Sequence, residues 1–438
     1  VRIIRITYKI EIKTNIVKYC LRCCYPENAR PAIIIDEEGV CSGCRTFEKR
    51  PQVDWDEKRN QLQEILDHYK KLAKKNNANW DCIIPVSGGK DSTYVVYLMT
   101  QIYKMKPLLV TYNHSFNSKR GIRNLTNIVE KFGCDLLRYS TNPKTAKKLS
   151  RYMLKKVGDI TWHHHAGLMT FPMQTAARYK IPLVMWGEHG EGFLLGMHNL
   201  NDNVEYTKKH RQEHLMRGFE PEDILNDPNN KEITRTDLAP FFYPSDDEIN
   251  SVGVRGIFTS NFDPWNQNEN TEKMIKEYGF ETFQNPEHTF NLYASIDDHA
   301  ERTHNYLRYL KFGHTRCTDH ASLEIRHQRM TREEGISMIE KYEYLKRPKN
   351  VDIILKFLEL SEEEFVASVD HLRDKEIWEK KSNGEWELLD WIGNHIDDLG
   401  VNEVRLPIKE KWKFLKTPIN PTTRETENMG DDEELIYL

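Results

Sequence analysis

An apolar run that stops at two adjacent glycines and resumes as Lys-Asp-Ser-Thr leaves few folds open to a chain. The stretch Ile83–Leu98 reads IIPVSGGKDSTYVVYL. Its first part predicts a buried strand, and DSTYVVYLMTQIYK predicts a helix with Asp91 and Ser92 in its first turn. A glycine pair between a strand and a helix aims several backbone N–H groups at one point, which suits an anion. Lys90 adds positive charge, and Ser87, Ser92 and Thr93 add hydroxyl donors. The glycine pattern is not G-x-x-x-x-G-K-[ST], because the earlier glycine is missing and Asp91 follows the lysine. A carboxylate is a poor neighbour for phosphate unless a cation lies between them. Mg²⁺ bridging Asp91 and phosphate oxygens resolves that conflict, so Ser87–Thr93, with Gly88 and Gly89, predict a phosphate site.

The flanking pattern extends the expectation to a domain. KPLLVTYNH, CDLLRYS and IPLVMWGE read as further buried strands, separated by helical segments such as SKRGIRNLTNIVEKFG, which ends at Gly133. Strands alternating with helices predict α/β architecture with a doubly wound parallel sheet. Residues 200–265 are polar, show no period and read as an insertion. From about residue 271 the pattern is mostly helical, with a capping box at Ser361 and Glu364. The expected division is a leader over 1–18, a cysteine module over 19–50 and the α/β domain over 51–345. A helical C-terminal region with an acidic tail would fill 346–438.

Five of the eight cysteines fall between Cys20 and Cys44. Cys20-x2-Cys23 and Cys41-x2-Cys44 offer four thiolates at zinc-ribbon spacing, hence a closed, structural Zn²⁺ site with Cys24 packed beside it. The formal charge of −4 gives no general nucleic-acid footprint, although a local basic groove stays open. No apolar run is long enough to span a bilayer, and the first residues do not read as a signal peptide. A cytoplasmic, soluble protein is the expectation. A mean hydropathy of −0.71 with 11% aromatic residues still allows a packed core.

The motif S-G-G-K-D-S-T resembles the pyrophosphate loop of the N-type ATP pyrophosphatases, which include GMP, NAD and asparagine synthetases and tRNA-thiolating enzymes. A zinc ribbon just before it narrows the likeness. With IPLVMWGE, NTEKMIKEYGFE and YLKFGHTRCTDHASLEIRHQRMTREEGI, the chain resembles the N-acetyl sugar amidotransferases of bacterial O-antigen and pseudaminic-acid-type pathways, over roughly residues 19–370. Cys24 and GEHGEGFLLG depart from that pattern. The resemblance implies a HUP-like fold and ATP cleaved between the α and β phosphates. It also implies conversion of a sugar's acetamido group into an acetamidino group through an adenylylated intermediate. No glutaminase nucleophile setting is evident in the sequence, so a separate glutaminase, paired as in the histidine-pathway glutaminase and cyclase, is the expected ammonia source.

Lys90 and Asp91 are thus the expected catalytic residues, joined by Glu188 at the end of a strand, where ligands of open α/β sheets collect. Gly187 would allow close approach of the nucleotide. Glu188 would bind Mg²⁺ or position ammonia, or else be a solvated acid in an ordinary turn. His165, Lys311, Arg316 and Arg326 are candidates for the substrate, the last three as oxyanion holders or as a solvated helix face. His163, His164 and His165 are consecutive and point in different directions, a poor chelator without distant partners. Two other readings remain: tRNA thiolation, with only Cys82, Cys134 and Cys317 outside the ribbon, and an ATP-binding scaffold without turnover.

Overall fold

The computed structural model describes residues 16–343 and 347–418. Most of the expected leader (1–15), the 345/346 boundary and the acidic tail lie outside the described residues. The central sheet holds β1 (Cys82–Pro85), β2 (Pro107–Asn113), β3 (Asp135–Ser140), β4 (Leu183–Trp186), β5 (Glu205–Tyr206) and β6 (Arg255–Phe258). Their order is β3-β2-β1-β4-β6-β5, parallel throughout except for β5 at one edge. Register is fixed by apolar pairs such as Ile84 with Leu109 and Trp186 with Phe258.

Alternate strand residues serve opposite faces, as the strand period of two requires. Ile84, Leu109, Met185 and Ile257 pack with Leu62 and Leu66 of α2 (Trp55–Lys75), Val95 of α3 (Lys90–Tyr97) and Ile128 of α4 (Lys119–Phe132). Ile83, Leu108, Val110 and Val184 pack with Leu149 of α5 (Pro143–Val157) and Ala166, Met173 and Ala176 of α6 (Trp162–Tyr179). Burial on both faces explains why these strands read as continuous apolar runs. Helix α4 does end at Gly133, in the left-handed conformation.

One expectation needs correction. Residues 200–265 are not only an irregular insertion, since they supply β5 and the parallel strand β6. RGIF is four residues long and begins Arg-Gly, too short and too weak to register as a period. The C-terminal region is helical as expected, with the helices Asn350–Leu358 and Glu362–Asp370, the latter with the expected Ser361–Glu364 capping box, and a hairpin, Trp378–Lys380 with Trp386–Leu388, follows them. The cysteine module packs mostly away from the sheet, although Phe47 touches the sheet core. It shares a core with Ile325, Ile336, Trp378 and Ile392.

The chain runs β1 to β2 to β3 outward, then crosses to β4 on the other side of β1. The switch point therefore lies at the C-terminal ends of β1 and β4. Ligand crevices of open α/β sheets form there because the two departing connections go to opposite faces.

Candidate active site

The glycine turn leaves β1 at that switch point. Gly88 has φ +92°, and a Cβ there would sit 2.2 Å from the Gly121 carbonyl oxygen, so only glycine fits. Gly121 has its own constraint, because a Cβ would come within 2.4 Å of Asp297 Cα. The turn is thus clamped between α4 and the segment around residue 297. Gly89 is the residue preceding α3, so the helix presents its unpaired N–H groups to the crevice.

Lys90 is paired with Asp91 and lies 5.6 Å from the centre of the Tyr293 ring. Gly187 leaves β4 against the turn; a Cβ on it would be only 3.6 Å from Asp91 Cβ. Glu188, next along, accepts two hydrogen bonds from Gln267 Nε2, at 3.0 and 2.8 Å. Burial, then the neighbouring Asp91 charge, push the Glu188 carboxyl up to about 7. Ser87 donates to Asp297, whose own carboxyl is pushed up to about 6, chiefly by burial. Asp91, Glu188 and Asp297 are therefore three carboxylates around one glycine turn. Repulsion and burial oppose their joint ionisation, and a divalent cation relieves both.

Not every expected phosphate ligand faces the crevice. Thr93 is 1% exposed, and its hydroxyl donates to the Gly89 carbonyl at 2.9 Å. Ser92 does the same at 3.1 Å. Both hydroxyls bind the first turn of α3 and the Ser87 hydroxyl binds Asp297, leaving the backbone amides and Lys90 to address a phosphate.

The four substrate candidates divide. Arg316 pairs with Glu301 at 2.8 Å, is 37% exposed and contributes to the electrostatic surroundings of Glu188. His165 reaches the same Glu301 electrostatically, with His304 between the two sets. Burial holds His165 down to about 3, so it stays neutral at physiological pH. Lys311 is not at the site. It donates to the carbonyls of Val157 and Gly158 at 3.2 and 3.0 Å, closing the C-terminus of α5. Arg326 is a second correction, because it is 4% exposed and lies under the cysteines. Its guanidinium donates to Cys41 Sγ at 3.3 Å, Cys44 Sγ at 3.4 Å and the Leu194 carbonyl at 2.6 Å.

Cys20, Cys23, Cys41 and Cys44 bring their sulfurs within 4.8 Å of one another, all buried. Backbone N–H groups of Cys23 and Cys41 point at Cys20 Sγ, at 3.4 and 3.3 Å. N–H donors and a guanidinium aimed at sulfur suit thiolates, and four thiolates suit a tetrahedral soft-ligand metal with no open position. Cys24 packs into the same core, with its N–H on Ser322 Oγ. Cys82 and Cys134 lie at the starts of β1 and β3, the end of the sheet away from the turn, and Cys317 is buried with the cysteine module.

Sequence reasoning missed Asp297, Gln267 and Tyr293. The Asp297-Asp298 pair was the available signal, but nothing local ties it to residue 87.

Residues 277–392 match the family "LPS biosynthesis protein WbpG-like, C-terminal domain", a span that crosses residue 345. The chain is also similar to an uncharacterised protein, MJ1599, of Methanocaldococcus jannaschii, at 28% identity over 118 residues. That match covers 27% of this chain and 41% of the relative, so the chain spans under half of that protein's length. Among solved structures it is similar to an NH3-dependent NAD synthetase from Campylobacter jejuni, in complex with the nitrate ion, with 13% identity and a TM-score of 0.25. This covers 34% of the chain and 62% of that structure. For an NMN synthetase from Francisella tularensis the figures are 12% and 0.26, with 46% of this chain and 93% of that one covered. The fold assignment rests on the strand order and the turn. The matched domain supplies Tyr293, Asp297 and Arg316 to the crevice at the switch point. A domain matched to WbpG-like lipopolysaccharide biosynthesis proteins over residues 277–392 thus walls the glycine turn.

Proposed function

We propose that the protein is an AMP-forming amidotransferase that converts the acetamido group of an N-acetylated, acidic sugar into an acetamidino group. The observation that carries this reading is the meeting of two parts. The S-G-G-K-D-S-T turn faces Asp297 and Tyr293, both from a domain matched to lipopolysaccharide biosynthesis proteins.

An amide carbon resists ammonia because its oxygen leaves poorly. In this reading the acetamido oxygen attacks the α-phosphorus of ATP and pyrophosphate departs. Ammonia then adds to the activated carbon, and AMP leaves with the sugar's oxygen. The turn amides and Lys90 would balance charge on departing pyrophosphate. Mg²⁺ held by Asp91, with Glu188 and Asp297 beside it, would supply further charge stabilisation. Glu188, near neutral in pKa, suits removal of a proton from the attacking nitrogen. Arg316 would hold the sugar's acidic group. Zn²⁺ on the four cysteines would fix the module against the helix Arg316–Arg326.

Ammonia would come from a separate glutaminase. Nothing favours thiolation, since Cys82 and Cys134 lie away from the turn. No described helix is long and apolar enough to cross a membrane.

The test uses the purified chain with ATP, an N-acetylated acidic sugar and either glutamine or ammonium salt. Ammonium should support formation of AMP, pyrophosphate and a product about one mass unit lighter, as oxygen is replaced by NH. Glutamine alone should not. Formation of ADP would overturn the mechanism, and efficient glutamine use would overturn the separate ammonia source.

A further inference from the structure

Away from the cysteines, three side chains from distant parts of the chain converge in the interior. His114 follows β2, His164 lies in the first turn of α6 and Asp298 precedes the helix Ala300–Phe312. One donor atom from each lies within 4.8 Å of the other two, and all three residues are buried, at 3%, 6% and 6% exposure. The imidazole centres of His114 and His164 are 3.4 Å apart. His164 Nδ1 is 3.0 Å from Asp298 Oδ2 yet makes no hydrogen bond. Asp298 Oδ1 accepts the Ala300 N–H at 2.7 Å, which orients the carboxylate and leaves Oδ2 toward the histidine.

A buried nitrogen and a buried carboxylate oxygen that approach without a hydrogen bond are costly unless something joins them. Two imidazoles and one carboxylate whose donor atoms converge are a ligand set for a divalent transition metal. The backbone bond to Oδ1 is the kind of outer contact that holds a ligating carboxylate in place. We propose that His114, His164 and Asp298 form a second metal site that binds a divalent first-row transition metal, independent of the amidotransferase reading. The ion would tie α6 to the loop after β2 and to Asp298. Asp297, the neighbouring residue, takes the Ser87 hydrogen bond, so the site braces the turn from behind.

The same atoms define the metal-free alternative. Phe116 donates its N–H to His114 Nδ1 at 3.2 Å, so without an ion the neutral ring keeps its proton on Nε2.

Elemental analysis of the full chain, purified without chelator and then dialysed against Zn²⁺, separates the two. The expected result is about two metal equivalents per chain. One is released by a thiol-blocking mercurial; the other survives that treatment and leaves with a pyridine dicarboxylate chelator. His164→Ala and Asp298→Asn should each lose the mercurial-resistant equivalent and keep the other. Reloading wild type with Co²⁺ should add weak nitrogen- and oxygen-ligand bands beneath the intense thiolate transitions. A folded wild-type chain that holds only mercurial-releasable metal after dialysis overturns the site, and so does a variant that retains the resistant equivalent. If the variants do not fold, the wild-type stoichiometry decides alone.

Discussion

The helix Arg316–Arg326 carries an arginine at each end, and the two have opposite surroundings. Arg316 is 37% exposed, paired to Glu301 at 2.8 Å and more loosely to Asp319 at 3.9 Å, and near Glu188 at the crevice. Arg326, about 15 Å along the same axis, is sealed beneath three sulfurs and a carbonyl. In sequence both looked like candidates for an acidic ligand. What separates them is the packing at each end: one faces the open switch point of the sheet, the other faces the cysteine module. The crevice and the cysteine cluster are both lined by charged groups, but in the proposed function the first releases what it binds and the second does not.

The sharpest break between the two regions should come from substitutions in each. Asp91→Ala or Lys90→Ala should cut ATP-dependent product formation by about 100- to 1,000-fold or more, by loss of charge stabilisation where charge develops. The thermal midpoint should change little, because both side chains sit at the crevice. Pyrophosphate release and a melting curve on the same sample check this, and an Asp91→Ala enzyme of normal activity would falsify the assignment. Cys20→Ser or Cys44→Ser should do the reverse: metal is lost and the module over residues 19–50 partly unfolds, visible as raised hydrogen exchange there.

The paired arginines sharpen the comparison. Arg326→Ala leaves buried thiolates without their cation and should cost about 3–5 kcal/mol of stability, measured by denaturant unfolding. Arg316→Ala should leave unfolding nearly unchanged while raising KM for an acidic sugar by about ten- to a hundredfold, the worth of a hydrogen bond to a charged group. Equal effects of the two on stability would show that the two ends do not differ as described.

The smallest effect concerns pH. In the proposed reaction Glu188 acts as a carboxylate, so activity should fall as pH drops below about 7, where the folded group takes up its proton. Gln267 donates to the charged form; Gln267→Leu should therefore raise the Glu188 pKa further and move the acidic limb of the rate profile upward. The stability linkage runs the other way. The folded group binds its proton more tightly than the unfolded one, so its contribution is present below the usual glutamate pKa and declines as pH rises toward about 7. A limb that stays in place in Gln267→Leu would remove Glu188 from the chemistry.

Much of this was legible in the residues because the signals are local. The turn is seven consecutive residues, and its glycines, charge and hydroxyls state an anion site before any folding is considered. The cysteine pairs lie within 25 residues, and thiolate spacing is itself a geometric statement. The apolar runs of β1, β2 and β4 followed from burial on both faces. The strand β6 escaped because four residues beginning Arg-Gly carry no period, and only pairing with β4 makes them a strand. Thr93 and Ser92 were the right residue types, yet which oxygen a hydroxyl faces is set by the helix turn it starts.

The sequence by itself determined the glycine turn, the four-cysteine module and a parallel sheet between helices. Each is written in neighbouring residues whose chemistry or period needs no distant partner. Only the tertiary structure decided that Asp297 and Tyr293 wall the turn, that Gln267 holds Glu188, and that Arg326 serves sulfur while Arg316 faces the crevice. It also gave His164 the partners that three consecutive histidines could not supply one another. Those pairings span up to 303 residues of chain, and what brings them together is the burial of apolar faces elsewhere. Sequence separation is blind to that force until the fold exists.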